Sequence, residues 1–321
     1  MTIQTSAKPT VYGQADVISR KELKPYLKRT DTHGLTNIIG HFVLIGITGW
    51  LTLTALGTWW IIPALLIHGI VVSYLFAPMH ECSHGTPFRT RKLNETIFYL
   101  VSFIYLVQPI MFRYSHAAHH TYTNIRGWDP DMVWPEKPTR WHYIRFVSSV
   151  PTWWGYLKWV WNHAIRGRLG PADAWYVPES EHPRIVREAQ IWVATFALIW
   201  LVAALLGVAQ MLFLLWIVAR LVGEPFMRLV RVSEHWECPE TGDLRKNTRS
   251  THVSRILHFL AWNMDYHAEH HLAPLTPFHQ LPNLHEKVGE KLHEMGDSHP
   301  AVHRDVLEAM RLRAGEMPHV S

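Results

Sequence analysis

The chain has 321 residues with 31 Lys and Arg against 26 Asp and Glu, a net charge of +5. No basic stripe or recognition motif accompanies that charge, which excludes nucleic acid as a partner, and two cysteines, Cys82 and Cys238, exclude a disulfide framework. The 16 Trp and the bunching of apolar residues suit a bilayer interface, and the 23 His are an excess of the commonest metal ligand.

Residues 1–34 are polar and basic (Lys8, Arg20, Lys21, Lys24, Lys28, Arg29). No apolar signal-peptide core follows the charges, so the segment reads as a cytosolic N-terminal tail. Residues 38–56 form a first span-length apolar segment and, after Gly57-Thr58, residues 59–78 form a second. Each is near the ~20 residues that cross a bilayer. Residues 97–112 are apolar but slightly short, and a single crossing there would invert everything that follows, so they read as interfacial or re-entrant. Residues 146–164 interleave Trp153, Trp154, Trp159 and Trp161 with Lys158 and His163, the mixture of a helix lying in the interface plane. A second hairpin pairs residues 191–206 with residues 211–232.

Neither hairpin turn carries Lys or Arg, whereas the tail, the middle segment and the region after Arg228 do. The positive-inside rule therefore places both termini and the middle segment in the cytoplasm. The expected fold is an all-α membrane protein, with four transmembrane helices in two hairpins and a cytosolic helical cap carrying a metal site. Residues 35–288 form the membrane and metal-binding domain, residues 289–321 a cytosolic C-terminal tail, and the expected location is a bacterial inner membrane.

Three histidine groups mark the metal site: His80-E-C-S-His84, His116-A-A-His119-His120 and His267-A-E-His270-His271. Positions i, i+3 and i+4 share one helix face, so each group projects its imidazoles in one direction. All three fall on the expected cytoplasmic side, the first just after the second span. The same H-x-x-H-H spacing twice, with a third pair nearby, points to one shared metal centre. HECSH alone fits H-E-x-x-H, the zinc metalloprotease pattern with Glu81 as base. A zinc site would use two of the boxed histidines and perhaps one more, leaving most of the others without a role. A metal-storing or transporting protein would want polar ligands through the membrane, whereas these groups gather at one face.

In these boxes, and in the stretches HAAHHTYTNIRGWDPDM (116–132) and NMDYHAEHHLAPLTPFHQLPNLHE (263–286), the sequence resembles the membrane fatty-acid desaturase and hydroxylase superfamily, the histidine-box di-iron enzymes. The likeness covers residues 35 to about 285. It implies two irons at the cytosolic mouth of a four-span bundle, O2 as co-substrate, and His80, His84, His116, His119, His120, His267, His270 and His271 as ligands. It also implies a further histidine after the fourth span, a place that His235 fits, and Asn263 reaching an iron through water. Carboxylates that accept the rings' free N–H groups would orient them. The candidates are Glu81, Asp129, Asp131, Glu234, Asp265 and Glu269.

The resemblance implies oxidation of an unactivated C–H bond, with desaturation of an acyl lipid or related amphiphile preferred. Hydroxylation of a smaller or polar-headed substrate is the alternative within the superfamily, and an intramembrane zinc protease the alternative outside it. Arg220, Glu224 and Arg228 recur at i, i+4 in the fourth expected span, where charges are costly. Arg220 and Glu224 either brace the bundle or meet a polar group on the substrate, and His68 could serve either role. With no haem or iron–sulfur motif and no dinucleotide fingerprint, electrons are expected from a separate ferredoxin, rubredoxin or cytochrome b5 type donor with its reductase. The basic cytosolic face would receive it.

Overall fold

A computed structural model describes residues 8–293 and 295–315. Parts of both expected tails, residues 1–7, 294 and 316–321, lie outside the described residues. Among the described residues the chain is helical, with two isolated β-bridges and no strand. The principal helices are α1 (Asp31–Thr54), α2 (Ile61–Ser73), α3 (Phe76–His84), α4 (Arg91–Tyr105), α5 (Pro109–Tyr122), α6 (Arg140–Val147), α7 (Val150–Val160), α8 (His182–Leu205), α9 (Ala219–His235), α10 (His267–Leu272), α11 (Leu281–Val288) and α12 (His299–Arg313). They divide into two compact units. The first holds residues 30–115 and 152–227, and the second the described residues of 1–29, 116–151 and 228–321.

The first unit contains three runs long and apolar enough to cross a membrane: Asp31–Thr54, Ile61–His84 and Glu179–Leu205. Helix α1 begins seven residues before the expected span. Its Asp31 carboxylate accepts from the Thr90 backbone N–H and hydroxyl, and an acid in the first turn also favours the helix start. The outward stripe Ile39, Val43, Ile47 and Trp50 is exposed. Apolar side chains at this spacing on a span-length helix face lipid. Gly57 (φ 77°) closes the turn to α2. The second run breaks at Tyr74–Leu75 and resumes as α3, ending where Gly85 adopts φ 68°, the left-handed conformation of a glycine C-cap. The first histidine box thus lies inside the last turns of the second span-length run rather than after it.

The stretch expected as interfacial or re-entrant is broken. α4 and α5 meet at 97°, and would make a fourth crossing only if counted together as one span. Leu106 takes φ 67° at the break, and Pro109, which lacks an N–H, opens α5. Buried Gln108 fills the gap, donating to the Ile185 carbonyl (2.8 Å) and accepting from His163 Nδ1 (2.7 Å). The Trp-rich stretch is likewise broken: α6 and α7 are parted at Ser149 (φ 61°), and α7 passes into a π-helical turn, Trp161–Ile165, with Trp154 and Trp161 exposed.

Residues 211–232, expected as the fourth span, are helical but fall outside the three span-length runs. The helix runs from Ala209 through a π-helical turn, Phe213–Val218, into α9. Within the turn Trp216 points inward and donates from Nε1 to the Ile104 carbonyl (2.7 Å). Gly69 of α2 and Gly223 of α9 bring two backbones together, because a Cβ at Gly223 would lie 1.9 Å from the Gly69 carbonyl oxygen and 2.4 Å from Ser73 Oγ. Small residues allow such approach between apolar helices. Backbone cannot yield as a side chain can, so Gly223→Ala is expected to cost at least about 3 kcal/mol, the upper end of ordinary overpacking. A thermal midpoint in detergent unchanged from wild type would show that these helices do not touch.

The second unit holds most of the segments expected as tails. Val17, Ile18 and Leu23 are buried with Leu272, Ala273, Leu284 and Val288. Helix α12 buries Val302, Val306 and Met310, at i, i+4 and i+8, with Phe146, Val232 and Trp236. Side chains from either side of residue 34, and from either side of residue 289, therefore pack together.

Candidate metal centre

Helices α5, α9 and α10 carry seven of the nine candidate histidines, and all seven lie in the second unit. His119, His235, His267 and His271 are buried and bring one nitrogen each within 4.8 Å of the others. His235 Nε2 and His271 Nε2 both lie 3.1 Å from His267 Nε2. A second group, His116, His120 and His270, has His120 Nε2 3.0 Å from His116 Nε2 and 3.1 Å from His270 Nε2. Metal–imidazole bonds are about 2.1 Å long, so two ligands of one ion at right angles sit about 3 Å apart. The observed spacings match that edge. In the first unit, the His80 and His84 rings lie side by side on α3 with centroids 5.3 Å apart.

Two of these rings have their tautomers fixed. His119 Nδ1 donates to both oxygens of Asp129 (2.9 and 3.0 Å), and a carboxylate accepts only. Its Nε2 faces inward, buried with no hydrogen-bond partner. Asp129 is itself held by the N–H groups of Asn124 and Asp131, each 2.8 Å away. His271 Nδ1 lies 2.9 Å from Thr123 Oγ1, whose own proton goes to the His119 carbonyl at 2.8 Å. The hydroxyl therefore accepts from His271 Nδ1–H, and His271 Nε2 also faces inward as a lone pair. Burial first, then the neighbouring rings of His267 and His119, hold the His271 pKa well below its ordinary value. A neutral ring is what a cation requires. The donor set thus fits a transition metal that prefers imidazole.

The other carboxylate candidates are held differently. Glu81 accepts from the Thr86 hydroxyl (2.9 Å), with His80 Nδ1 at 4.0 Å. Asp131 pairs with Arg231 (2.6 Å), and Glu234 lies 3.5 Å from both Arg231 and His267 Nε2. Asp265 sits 2.8 Å from His258. Buried Glu269 accepts from Ser250 Oγ and His285 Nδ1, each at 2.5 Å, and that bond raises the His285 pKa. Asn263 lies in a turn at φ 56°, not on a helix, and its amide donates to the Phe278 carbonyl (3.1 Å).

Sequence reasoning passed over Thr123, Ser250 and His285. Only Thr123, four residues after His119, left a signal at helical spacing.

The substrate candidates belong to the first unit. His68 is buried, with Nε2 donating to the Leu215 carbonyl (3.0 Å) and Nδ1 2.9 Å from the Thr48 hydroxyl. Arg220 is fully buried and pairs with Glu224 (2.5 Å), donates from Nε to the Tyr105 carbonyl (3.1 Å) and from Nη1 to Ser73 Oγ (3.2 Å). Its guanidinium lies 3.7 Å from the Tyr105 ring centroid and 4.9 Å from that of Trp153, and the Tyr105 hydroxyl donates to Glu224 (2.9 Å). Both residues are thereby built into the helix packing, although Arg220 Nη2 has no hydrogen-bond partner.

Comparison with known proteins places the chain among desaturases. The chain is 26% identical over 248 residues to the dihydrorhizobitoxine desaturase of Bradyrhizobium elkanii, covering 69% of this chain and 66% of that one. It is 22% identical over 274 residues to the chloroplastic omega-6 fatty acid desaturase of Glycine max, covering 77% and 62%. It is also 22% identical over 299 residues to the sphingolipid delta(4)-desaturase/C4-monooxygenase of Mus musculus, covering 92% and 86%. The chain spans under two thirds of the length of the first two of these relatives. The fatty acid desaturase family model matches residues 57–302, a range that takes in all three histidine boxes and His235. Together with the span-length helices, that match makes the chain a membrane protein of the fatty acid desaturase family.

Proposed function

We propose that the protein is an O2-dependent di-iron oxidoreductase that desaturates an acyl lipid or related amphiphile. The observation that carries this reading is the buried set of four imidazoles, His119, His235, His267 and His271, with two of the rings oriented by outer hydrogen bonds. His116, His120 and His270 supply further donors, and His80 and His84 are assigned to the same centre on the family's histidine pattern rather than on placement. Two irons, reduced by an external donor and supplied with O2, furnish the oxidant that an unactivated C–H bond demands. In desaturation the substrate loses two hydrogen atoms and, with two further electrons and two protons, O2 leaves as two waters. Asp129 and Thr123 keep their rings aimed inward throughout.

The electrons come from a separate ferredoxin, rubredoxin or cytochrome b5 type protein. Hydroxylation is the second reading, supported by a relative whose name joins a desaturase and a monooxygenase. The relatives' names span dihydrorhizobitoxine, fatty acids and sphingolipids, so the substrate class of this chain stays at an amphiphile. Family membership covers HECSH itself and removes the ground for reading those five residues as a protease. Purified protein is expected to carry about two irons per chain, from the superfamily pattern and the ligand count. Stoichiometric zinc without iron in active protein would restore the protease.

Both termini and the histidine boxes are proposed to face the cytoplasm, in a bacterial inner membrane. Single cysteines at Thr58 and Val208, in the two turns free of Lys and Arg, should label from outside intact cells, and one at Thr10 only after permeabilisation. Cys82 and Cys238 are buried and will not compete. Thr10 labelling from outside would invert the orientation.

A further inference from the structure

We infer that Thr123 is a positioning residue for the metal centre, setting the tautomer of His271 through a hydroxyl that has no other proton to give. The inference rests on the di-iron reading and deepens it. A threonine just past a helix end ordinarily bonds back to the carbonyl four residues earlier, a local contact with no further consequence. Thr123 makes that bond, to His119 at 2.8 Å, and the direction of its single proton is thereby fixed. The oxygen's lone pairs then face His271 Nδ1 at 2.9 Å across 148 residues of sequence. Nδ1 must carry the ring proton and Nε2 must be the ligand atom.

The corner is itself anchored. Buried Asn247 donates to the Thr123 carbonyl (3.1 Å). The next residue, Asn124, takes φ 57° and donates from its side chain to the Cys238 carbonyl (2.9 Å), just past His235. Its backbone N–H goes to Asp129, the carboxylate that holds His119. Thr123 and Asn124 therefore tie together the ends of three segments that bear His119, His235 and His271. The hydroxyl aims one ring and, through the carbonyl of His119, is locked to the helix that bears another.

Valine matches threonine in shape but lacks the hydroxyl. In T123V, His271 loses its tautomer preference and the acceptor for its Nδ1–H. Outer-shell partners of metal-bound imidazoles are worth about 10–100-fold in metal affinity, and that is the expected loss. The measurement is iron retention by full-length detergent-solubilised protein challenged with a competing chelator, alongside the d–d spectrum after Co2+ substitution. T123V and T123A should both release iron faster and shift the Co2+ bands, while T123S, which keeps the hydroxyl, should behave as wild type. Thermal midpoints identify any variant that is misfolded, and if T123V is, the pair T123A and T123S decides. Wild-type retention and spectrum in the folded valine or alanine variants would overturn the inference while leaving the centre in place. So would a T123S protein as leaky as T123A, since the methyl and not the hydroxyl would then matter. A wild-type protein that binds neither Fe2+ nor Co2+ would overturn the metal reading and this inference together.

Discussion

His119→Ala is expected to abolish turnover and strip iron from the purified protein, with the fold retained. The side chain sits on α5, is almost wholly buried, and directs an unpartnered Nε2 toward His235, His267 and His271. Alanine removes one donor of four and strands Asp129, whose carboxylate would lose the proton it accepts from Nδ1. Metal affinity is expected to fall by more than the 10–100-fold that follows loss of an outer hydrogen-bond partner. Asp129→Asn isolates that smaller effect. It keeps the shape but offers His119 an amide that can present either its oxygen or its NH2 group, so iron binding should weaken within that range and activity should survive in part. The checks are metal analysis per chain and single-turnover O2 consumption with a chemical reductant. Normal iron and normal turnover in His119→Ala would mean that the four-histidine group is not the centre.

Arg220→Ala is expected to be the most destabilising single change in the first unit, at about 3–5 kcal/mol, because it leaves Glu224 as an unpaired charge in a buried site. The exchange Arg220→Glu with Glu224→Arg tests how self-contained the pair is. Were it a simple i, i+4 bridge, the exchange would restore most of the loss. The geometry says otherwise: Arg220 also donates to the Tyr105 carbonyl and Ser73 Oγ, and Tyr105 donates its hydroxyl to Glu224. Each position is therefore sign-specific, and the exchanged protein should recover little. Denaturant or thermal unfolding in detergent reads this directly, and recovery to near the wild-type midpoint would refute the network. Arg220→Lys separates bracing from substrate contact. Lysine lacks the planar fork, so a bracing role lowers stability with KM unchanged, whereas contact with a polar substrate group would raise KM.

The histidine clustering on α5 and α10 was legible because side chains on one helix face recur at three or four residues, and that period survives whatever surrounds it. The helices bearing the boxes were less so. The first box was expected beyond the second span, but apolar Phe76 and Met79 continue the helix to Gly85, whose flexible backbone ends it. The break between α4 and α5 had a signal in Pro109, yet the left-handed residue there is Leu106, a type that gives no warning. Among the six candidate carboxylates, Asp129 accepts a boxed ring's N–H at 2.9 Å, whereas Glu269 answers to Ser250 and His285. Partners such as Thr123 and His271 are 148 residues apart, and a single sequence records no such pairing. Burial at the ends was not legible. The basic character of residues 1–34 suggested a tail, although Val17, Ile18 and Leu23 are buried, as are Val302 and Val306 near the other end.

The π-helical turn at Phe213–Val218 has a consequence for insertions and deletions. A π turn carries one residue more than the α-helical path it replaces, and each residue advances an α-helix by about 100°. Deleting any one residue between Phe213 and Val218 would let the segment relax to a plain α-helix and rotate everything downstream by that angle. Arg220 and Glu224 would swing off Tyr105 and Ser73. Substitutions within the turn leave this phase alone. Apart from buried Trp216, whose Nε1 reaches the Ile104 carbonyl, the segment is therefore more open to change in side-chain identity than to change in length.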